Sequence, residues 1–347
     1  MKVTTLIMLA TLGGALPGHA AQPLPGLGAD GAGLTVSGIS SGGYMAVQFQ
    51  VVFSKQVRGA GVIAAGPYDC AEGSSIRALA HCMSPSAWAP PPKPAEIRPR
   101  MESRARLGLI DPPEGLADDR VWMLGGGADR TVEPPVMDAL EAFYRQWVPG
   151  DALRRVSLPD AGHAMISVAD GKPNACNTSE PPYINRCGDF DAPGELLRHL
   201  LGKLEPARVP EPASLQAFDQ RPFIGGLPAD ISMAEQGFVY VPSACRAGGC
   251  RVHVAFHGCQ QSEDKIGRRF VEGAGYNPWA EANRLIVLYP QTIARNGWAP
   301  GSYRWVLNPK GCWDWWGYSS IDYATRNGPQ MAAVHKMVER LQEKSGR

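Results

Sequence analysis

Short apolar runs alternate with stretches whose apolar positions recur every three to four residues. Residues 34–37 form a β-prone run that leads into Gly38-Ile39-Ser40-Ser41-Gly42-Gly43, and residues 44–53 carry helical patterning. Residues 61–65 and 121–124 are apolar enough for buried strands. Residues 134–147 open on two prolines, then place Val136, Leu140, Phe143 and Trp147 at helical spacing. A strand over 153–158 precedes a loop carrying His163, and 195–204 has helical character. Residues 205–230 are rich in proline and lack periodicity, which marks a connector. A second run follows, with strands at 238–241, 252–256 and 285–289 and an amphipathic helix over 330–344 that aligns Met331, Val334, Val338 and Leu341. Such alternation predicts an α/β fold with a mostly parallel central sheet and helices on both faces.

Composition narrows the class of partner. Lys and Arg total 34 against 33 Asp and Glu, a formal net charge of +1, with no long run of either sign. Neither nucleic acid nor an anionic membrane surface is favoured by this balance. Lys2, the apolar stretch 6–16 and the small residues before Ala20 and Ala21 have the layout of a signal peptide over residues 1–20, which implies a secreted or periplasmic protein. No later run reaches about 18 apolar residues, so stable membrane insertion is not expected. The mature chain, 21–347, is expected to be one catalytic domain and a monomer, with no separate substrate-binding domain.

Eight cysteines in an exported chain point to disulfides. Eight allow about 105 pairings, and the sequence does not choose among them. Nearest-neighbour pairing is the economical expectation: Cys70 with Cys82, Cys176 with Cys187, Cys245 with Cys250, Cys259 with Cys312. There is no CxxC couple and no HExxH helix, so no metal and no cofactor are expected.

The chemistry-bearing pattern is Gly38-Ile39-Ser40-Ser41-Gly42, a G-x-S-x-G sequence between a strand and a helix. In that setting the serine stands on a sharp turn with its hydroxyl lifted above the sheet, the nucleophile elbow of the α/β-hydrolase fold. A serine nucleophile requires a base and an orienting carboxylate, which follow in the order Ser, Asp or Glu, His. His163 lies in a loop after a strand, whereas the other histidines fall in the leader, helices, a strand interior or a separate motif. Asp129 ends the glycine run that follows strand 121–124. Asp160 is too close to His163 in the chain to reach its ring from a separate strand end. Two backbone amides should receive the oxyanion: that of Ser41, after the nucleophile, and that of Cys259, in His257-Gly258-Cys259 after strand 252–256. In the usual order the HG strand precedes the nucleophile. Starting the chain near residue 230 and joining its ends restores that order, so a circularly permuted α/β-hydrolase is expected.

The segments VSGISSGGYMA, AAGPYDCA, GADRTV, AGHAM, PPYINRC, FHGCQQS, RRFVEGAGYNPWA, LIVLYPQ and NPKGCWDWWG resemble those of extracellular poly(3-hydroxybutyrate) depolymerases, in particular a single-domain, circularly permuted fungal kind. The resemblance implies Ser40, Asp129 and His163 as a triad and a polyester or hydroxyacid oligomer as substrate. It also implies Trp315 as a residue lining the polymer-binding cleft. Trp313 and Tyr44 are further expected substrate-binding residues. Related folds serve as carbohydrate esterases acting on acetyl or feruloyl groups, or as non-catalytic binding proteins, and fold alone does not choose among these.

Overall fold

The computed structural model describes residues 21–344; the expected signal segment, 1–20, lies outside them. Eight strands form the central sheet: β1 (Leu34–Ile39), β2 (Val57–Ile63), β3 (Arg120–Gly126), β4 (Leu153–Leu158), β5 (Leu215–Asp219), β6 (Gln236–Tyr240), β7 (Arg251–Phe256) and β8 (Leu285–Tyr289). Their spatial order is β4-β3-β2-β1-β7-β8-β6-β5. The six strands from β4 to β8 are parallel, β6 runs antiparallel to β8, and β5 runs antiparallel to β6.

Burial explains the continuous apolar strands. Alternate residues enter opposite cores: Val121 and Met123 join one cluster, Trp122 and Leu124 the other. The same split divides Ile286 and Leu288 from Leu285 and Val287. Helices α1 (Ser41–Val52), α4 (Pro134–Tyr144) and α7 (Pro329–Gln342) cover the first face, while α5 (Ala192–Leu201) and α6 (Tyr276–Ala282) cover the second. Between β2 and β3 lie α2 (Ser75–Cys82) and α3 (Pro94–Arg106).

Two expectations shift. The connector over 205–230 contributes the edge strand β5, which periodicity hid because only Phe218 of its five residues is fully buried. The helix expected at 195–204 is α5, entered through Pro193 and ended by Gly202 at φ 82°.

The strand order fits a permuted chain. Read from β5 to β8 and then β1 to β4, the strands cross the sheet from one edge to the other with one local exchange. The joined ends would be neighbours already. Leu27 and Ala29 N–H donate to Leu341 O at 3.1 and 3.0 Å, and Gly28 N–H donates to Glu343 O at 2.7 Å. Chain ends in such proximity are what permutation requires.

One carboxylate sits at the entrance to β3 at a cost. Asp119 is fully buried; its Oδ2 accepts from Gln50 Nε2 at 2.8 Å, and its Oδ1 has no partner. Burial pushes its pKa up to about 7, against the opposing pull of the Gln50 hydrogen bond and Arg58. The unfolded chain ionises this group near pH 4, so the folded state loses relative stability as pH rises from about 4 through 7. Asp119→Asn should therefore raise the melting temperature at pH 8.5 and give a much smaller gain at pH 5. A shift of equal size at both pH values would contradict this account.

Candidate active site

The parallel strands β1, β3, β4 and β7 end at one edge of the sheet, and each releases a loop that carries a nominated residue. At the end of β1, Ser40 holds φ 56° and ψ −125°, a strained conformation for a residue with a side chain. Its N–H donates to Ile63 O at 2.9 Å, and its carbonyl accepts from Tyr44 N–H at 3.0 Å. The flanking glycines are sterically required. A Cβ on Gly38 would stand 2.2 Å from Gly42 O, and one on Gly42 would stand 2.4 Å from both Phe256 O and His257 O. Helix α1 starts at Ser41, three residues earlier than its apolar pattern suggests, because the turn at Ser40 feeds straight into it.

The glycine run after β3 has the same kind of cause. A Cβ on Gly126 would meet Ala161 O at 2.2 Å, and one on Gly127 would meet Pro159 O at 2.4 Å. Without side chains the two loops close on each other, and His163 Nδ1–H donates to Asp129 Oδ2 at 2.7 Å. Asp129 Oδ1 accepts from Thr131 N–H at 2.7 Å and Val132 N–H at 2.9 Å, which fixes the carboxylate plane. The His163 loop is pinned from outside: Gly162 N–H donates to Cys176 O at 2.9 Å and His163 N–H to Ser179 Oγ at 2.9 Å. The Cys176–Cys187 disulfide closes that supporting segment.

The fourth loop follows β7. A Cβ built on Gly258 would lie 3.4 Å from Ser40 Cβ, so this loop passes directly over the serine. His257 shapes it. Its Nδ1–H donates to Gly258 O at 2.7 Å, while Nε2 accepts from Thr292 N–H at 3.2 Å. Burial lowers the His257 pKa to about 4, so the ring is neutral near pH 7. Gly258 N–H is taken by Gln261 Oε1 at 2.8 Å, and the Gln261 amide in turn donates to Pro182 O and Tyr183 O. The N–H groups of Ser41 and Cys259 have no acceptor among the described residues. Cys259 is bonded to Cys312, and the other pairs are Cys70–Cys82, Cys176–Cys187 and Cys245–Cys250.

A cleft of about 580 Å³ opens beside Cys259, with Trp315, Leu79 and Met83 among its mostly apolar lining. Trp315 stacks flat on Tyr44, with centroids 4.0 Å apart and planes 8° from parallel. Trp313 and Tyr44 do not line the cleft. Trp313 is fully buried against Phe256 and His257, and Tyr44 forms the layer beneath Trp315. Asp314 organises the loop. Its Oδ1 accepts from Gly317 N–H at 2.7 Å and its Oδ2 from Ser319 N–H at 2.8 Å. Sequence reasoning had not nominated Asp314, Gln261 or the α2 wall; only Asp314, at the head of the turn closed by Gly317, carried a local signal. Among the described residues no His, Cys, Asp and Glu cluster could hold a metal ion, and no helix is long and apolar enough to cross a membrane.

A strained serine at the carboxyl end of a parallel strand, followed at once by a helix, defines an α/β-hydrolase. The chain is 34% identical over 331 residues to the polyhydroxybutyrate depolymerase of Talaromyces funiculosus, covering 93% of each. It belongs to the poly(3-hydroxybutyrate) depolymerase family. It is also 39% identical over 335 residues to a poly(3-hydroxybutyrate) depolymerase of Delftia acidovorans, spanning 94% of this chain and 63% of that relative's length. The crystal structure of PHB depolymerase from Penicillium funiculosum matches with a TM-score of 0.81 at 32% identity, covering 92% of this chain and 99% of that one. A serine-to-alanine variant of PHB depolymerase complexed with R3HB trimer matches equally well. No protein-family model matches the chain.

The disulfide beneath the cleft yields a prediction. Cys259–Cys312 spans 53 residues, so the chain-entropy relation gives it about 4 kcal/mol. Cys312→Ser together with Cys259→Ser should lower the midpoint of urea unfolding and reduce turnover more than it raises KM, because the loop carrying the Cys259 N–H loses its tether. Unchanged turnover at full folding would show that the bond does not hold that amide in place.

Proposed function

We propose that this protein is an exported serine esterase that hydrolyses poly(3-hydroxybutyrate) or its oligomers through an acyl-enzyme on Ser40. The observation that carries the reading is the Asp129–His163 pair at 2.7 Å, on the same sheet edge as the strained Ser40 and the acceptor-free N–H of Cys259. Family membership and the R3HB trimer held by a similar structure support a polyester substrate. Four disulfides and the expected leader support export. One continuous eight-stranded sheet supports a single catalytic domain over 21–347.

In this mechanism Ser40 Oγ attacks the ester carbonyl carbon while His163 Nε2 takes the hydroxyl proton. Asp129 holds the imidazole through Nδ1–H and stabilises the positive ring that forms. The carbonyl oxygen becomes negative and receives the N–H groups of Ser41 and Cys259. Collapse of the tetrahedral species breaks the bond to the alcohol oxygen, which leaves with the proton from His163. Water, deprotonated by His163, then attacks the acyl-Ser40 ester and releases a carboxylic acid. His257 takes no proton, because both ring nitrogens are committed to holding the oxyanion loop.

Ser40→Ala should fold normally and lose roughly four to six orders of magnitude in turnover on hydroxybutyrate trimer. Retention of a tenth of wild-type activity would remove Ser40 from the reaction. Hydrolysis of acetylated or feruloylated xylan, with none of hydroxybutyrate trimer, would assign the site to a carbohydrate esterase instead.

Trp315 supplies the substrate test. A polyester of short hydroxyacids presents neutral ester groups and alkyl branches, and a flat ring suits such a chain. Trp315→Ala should raise KM for hydroxybutyrate oligomers about tenfold or more and leave hydrolysis of a short nitrophenyl ester nearly unchanged. Equal losses on both substrates, with a lower melting temperature, would make Trp315 a packing residue.

A further inference from the structure

Lys310 is the one charged side chain lining the cleft, among the described residues. It lies in the turn Pro309-Lys310-Gly311, between the short strand Val306–Asn308 and Cys312. Its backbone is held on the oxyanion loop: Lys310 O accepts from Gln260 N–H at 2.7 Å, one residue beyond Cys259. Gly311, at φ 59°, closes the turn by donating its N–H to Asn308 O at 3.1 Å. The side chain itself is exposed, and none of the ion pairs among the described residues includes it. Arg77, on the α2 helix, pairs with Glu72 at 2.9 Å, a carboxylate that Arg100 shares at 3.1 Å, and is not among the residues lining the cleft. The result is an exposed lysine, in none of the ion pairs among the described residues, on a fixed turn of a groove with no other charged lining residue.

A hydroxyacid oligomer has a matching pattern of charge. Every internal ester and every alkyl branch is neutral, one end is a hydroxyl, and the other end is a carboxylate. We propose that Lys310 binds this terminal carboxylate and so makes the enzyme selective for short chains lying with their acid end on the Lys310 side of the cleft. The inference rests on the hydroxybutyrate reading above. In an ester bond the acyl portion stays on Ser40 and the alcohol portion departs, and the alcohol portion is the one that carries the acid end. Lys310 therefore holds the leaving fragment, a monomer or short oligomer acid, and has no partner on the interior of a long polymer. A carboxylate beside one exposed lysine gains about as much as a favourable exposed ion pair, so the effect is roughly two- to fivefold in KM. Added salt screens it.

The test compares hydroxybutyrate trimer as the free acid with the same trimer as its methyl ester, on wild type, Lys310→Gln and Lys310→Arg. Wild type should show a lower KM for the acid, and the advantage should shrink in 0.5 M salt, where the Debye length falls to about 4 Å from about 10 Å at 0.1 M. Lys310→Gln should raise KM for the acid and not for the methyl ester, while Lys310→Arg restores it. Equal KM values for acid and ester in wild type, or equal losses on both in Lys310→Gln, would overturn the role of Lys310. Failure of wild type to cleave either trimer would instead overturn the hydroxybutyrate reading itself.

Discussion

The site depends on one close approach: the first turn of α1 lies against the end of β7. Gly42 packs onto the Phe256 and His257 carbonyls with no room for a Cβ, and Gly258 returns over Ser40. This contact joins the early part of the chain to the late part. It brings the Ser40 turn and the Gly258 loop, more than two hundred residues apart in sequence, within van der Waals distance. Parallel pairing of β1 with β7, with Ser37 opposite Ala255 and Gly38 opposite Phe256, sets the register of that approach. A one-residue slip would turn the elbow away from the loop and exchange the faces of every side chain in β7.

The remaining parts are held by similar local means. The loop after β3 and the loop after β4 meet because Gly126 and Gly127 admit the carbonyls of Ala161 and Pro159. Three of the four disulfides lie beside the candidate site. Cys176–Cys187 backs His163, Cys259–Cys312 ties the loop after β7 to the tryptophan loop, and Cys70–Cys82 closes the α2 wall of the cleft. These loops leave the sheet edge with few regular hydrogen bonds, so cross-links there limit motion where catalysis requires fixed geometry.

Much of this was legible in the chain because it is local. The elbow glycines, the Gly-Gly-Gly-Ala-Asp run and the His-Gly-Cys turn each carry a steric or hydrogen-bonding demand within a few residues. What stayed hidden depends on tertiary contacts. Strand β5 is short, half-buried and preceded by prolines, so neither period nor propensity exposed it. The α2 wall reads as an ordinary amphipathic helix, and only packing shows Leu79 facing the cleft. Trp313 and Trp315 are two residues apart in one aromatic run, yet the first is buried against His257 and the second faces the cleft. No sequence pattern separates them, because the Asp314 turn decides which ring points where.

The histidines show how one residue type receives opposite duties from its partners. His253 lies in β7 with Thr35 Oγ1 at 2.8 Å from Nδ1 and Ser37 Oγ at 2.7 Å from Nε2, and burial lowers its pKa to about 3. His257, four residues on, must accept a hydrogen bond at Nε2 from the Thr292 amide, which only a neutral ring can do. Burial, with no carboxylate hydrogen-bonded to either ring, keeps both neutral across the physiological range, so each acts as a fixed bridge between backbone or hydroxyl groups. His163 has the other arrangement, with a carboxylate on Nδ1 and no protein partner recorded on Nε2 among the described residues. A carboxylate on Nδ1 is the arrangement that the proposed role of His163 uses. The imidazole that faces Asp129 therefore differs in kind from the two deeper ones, which hold strand β7 and the loop that follows it.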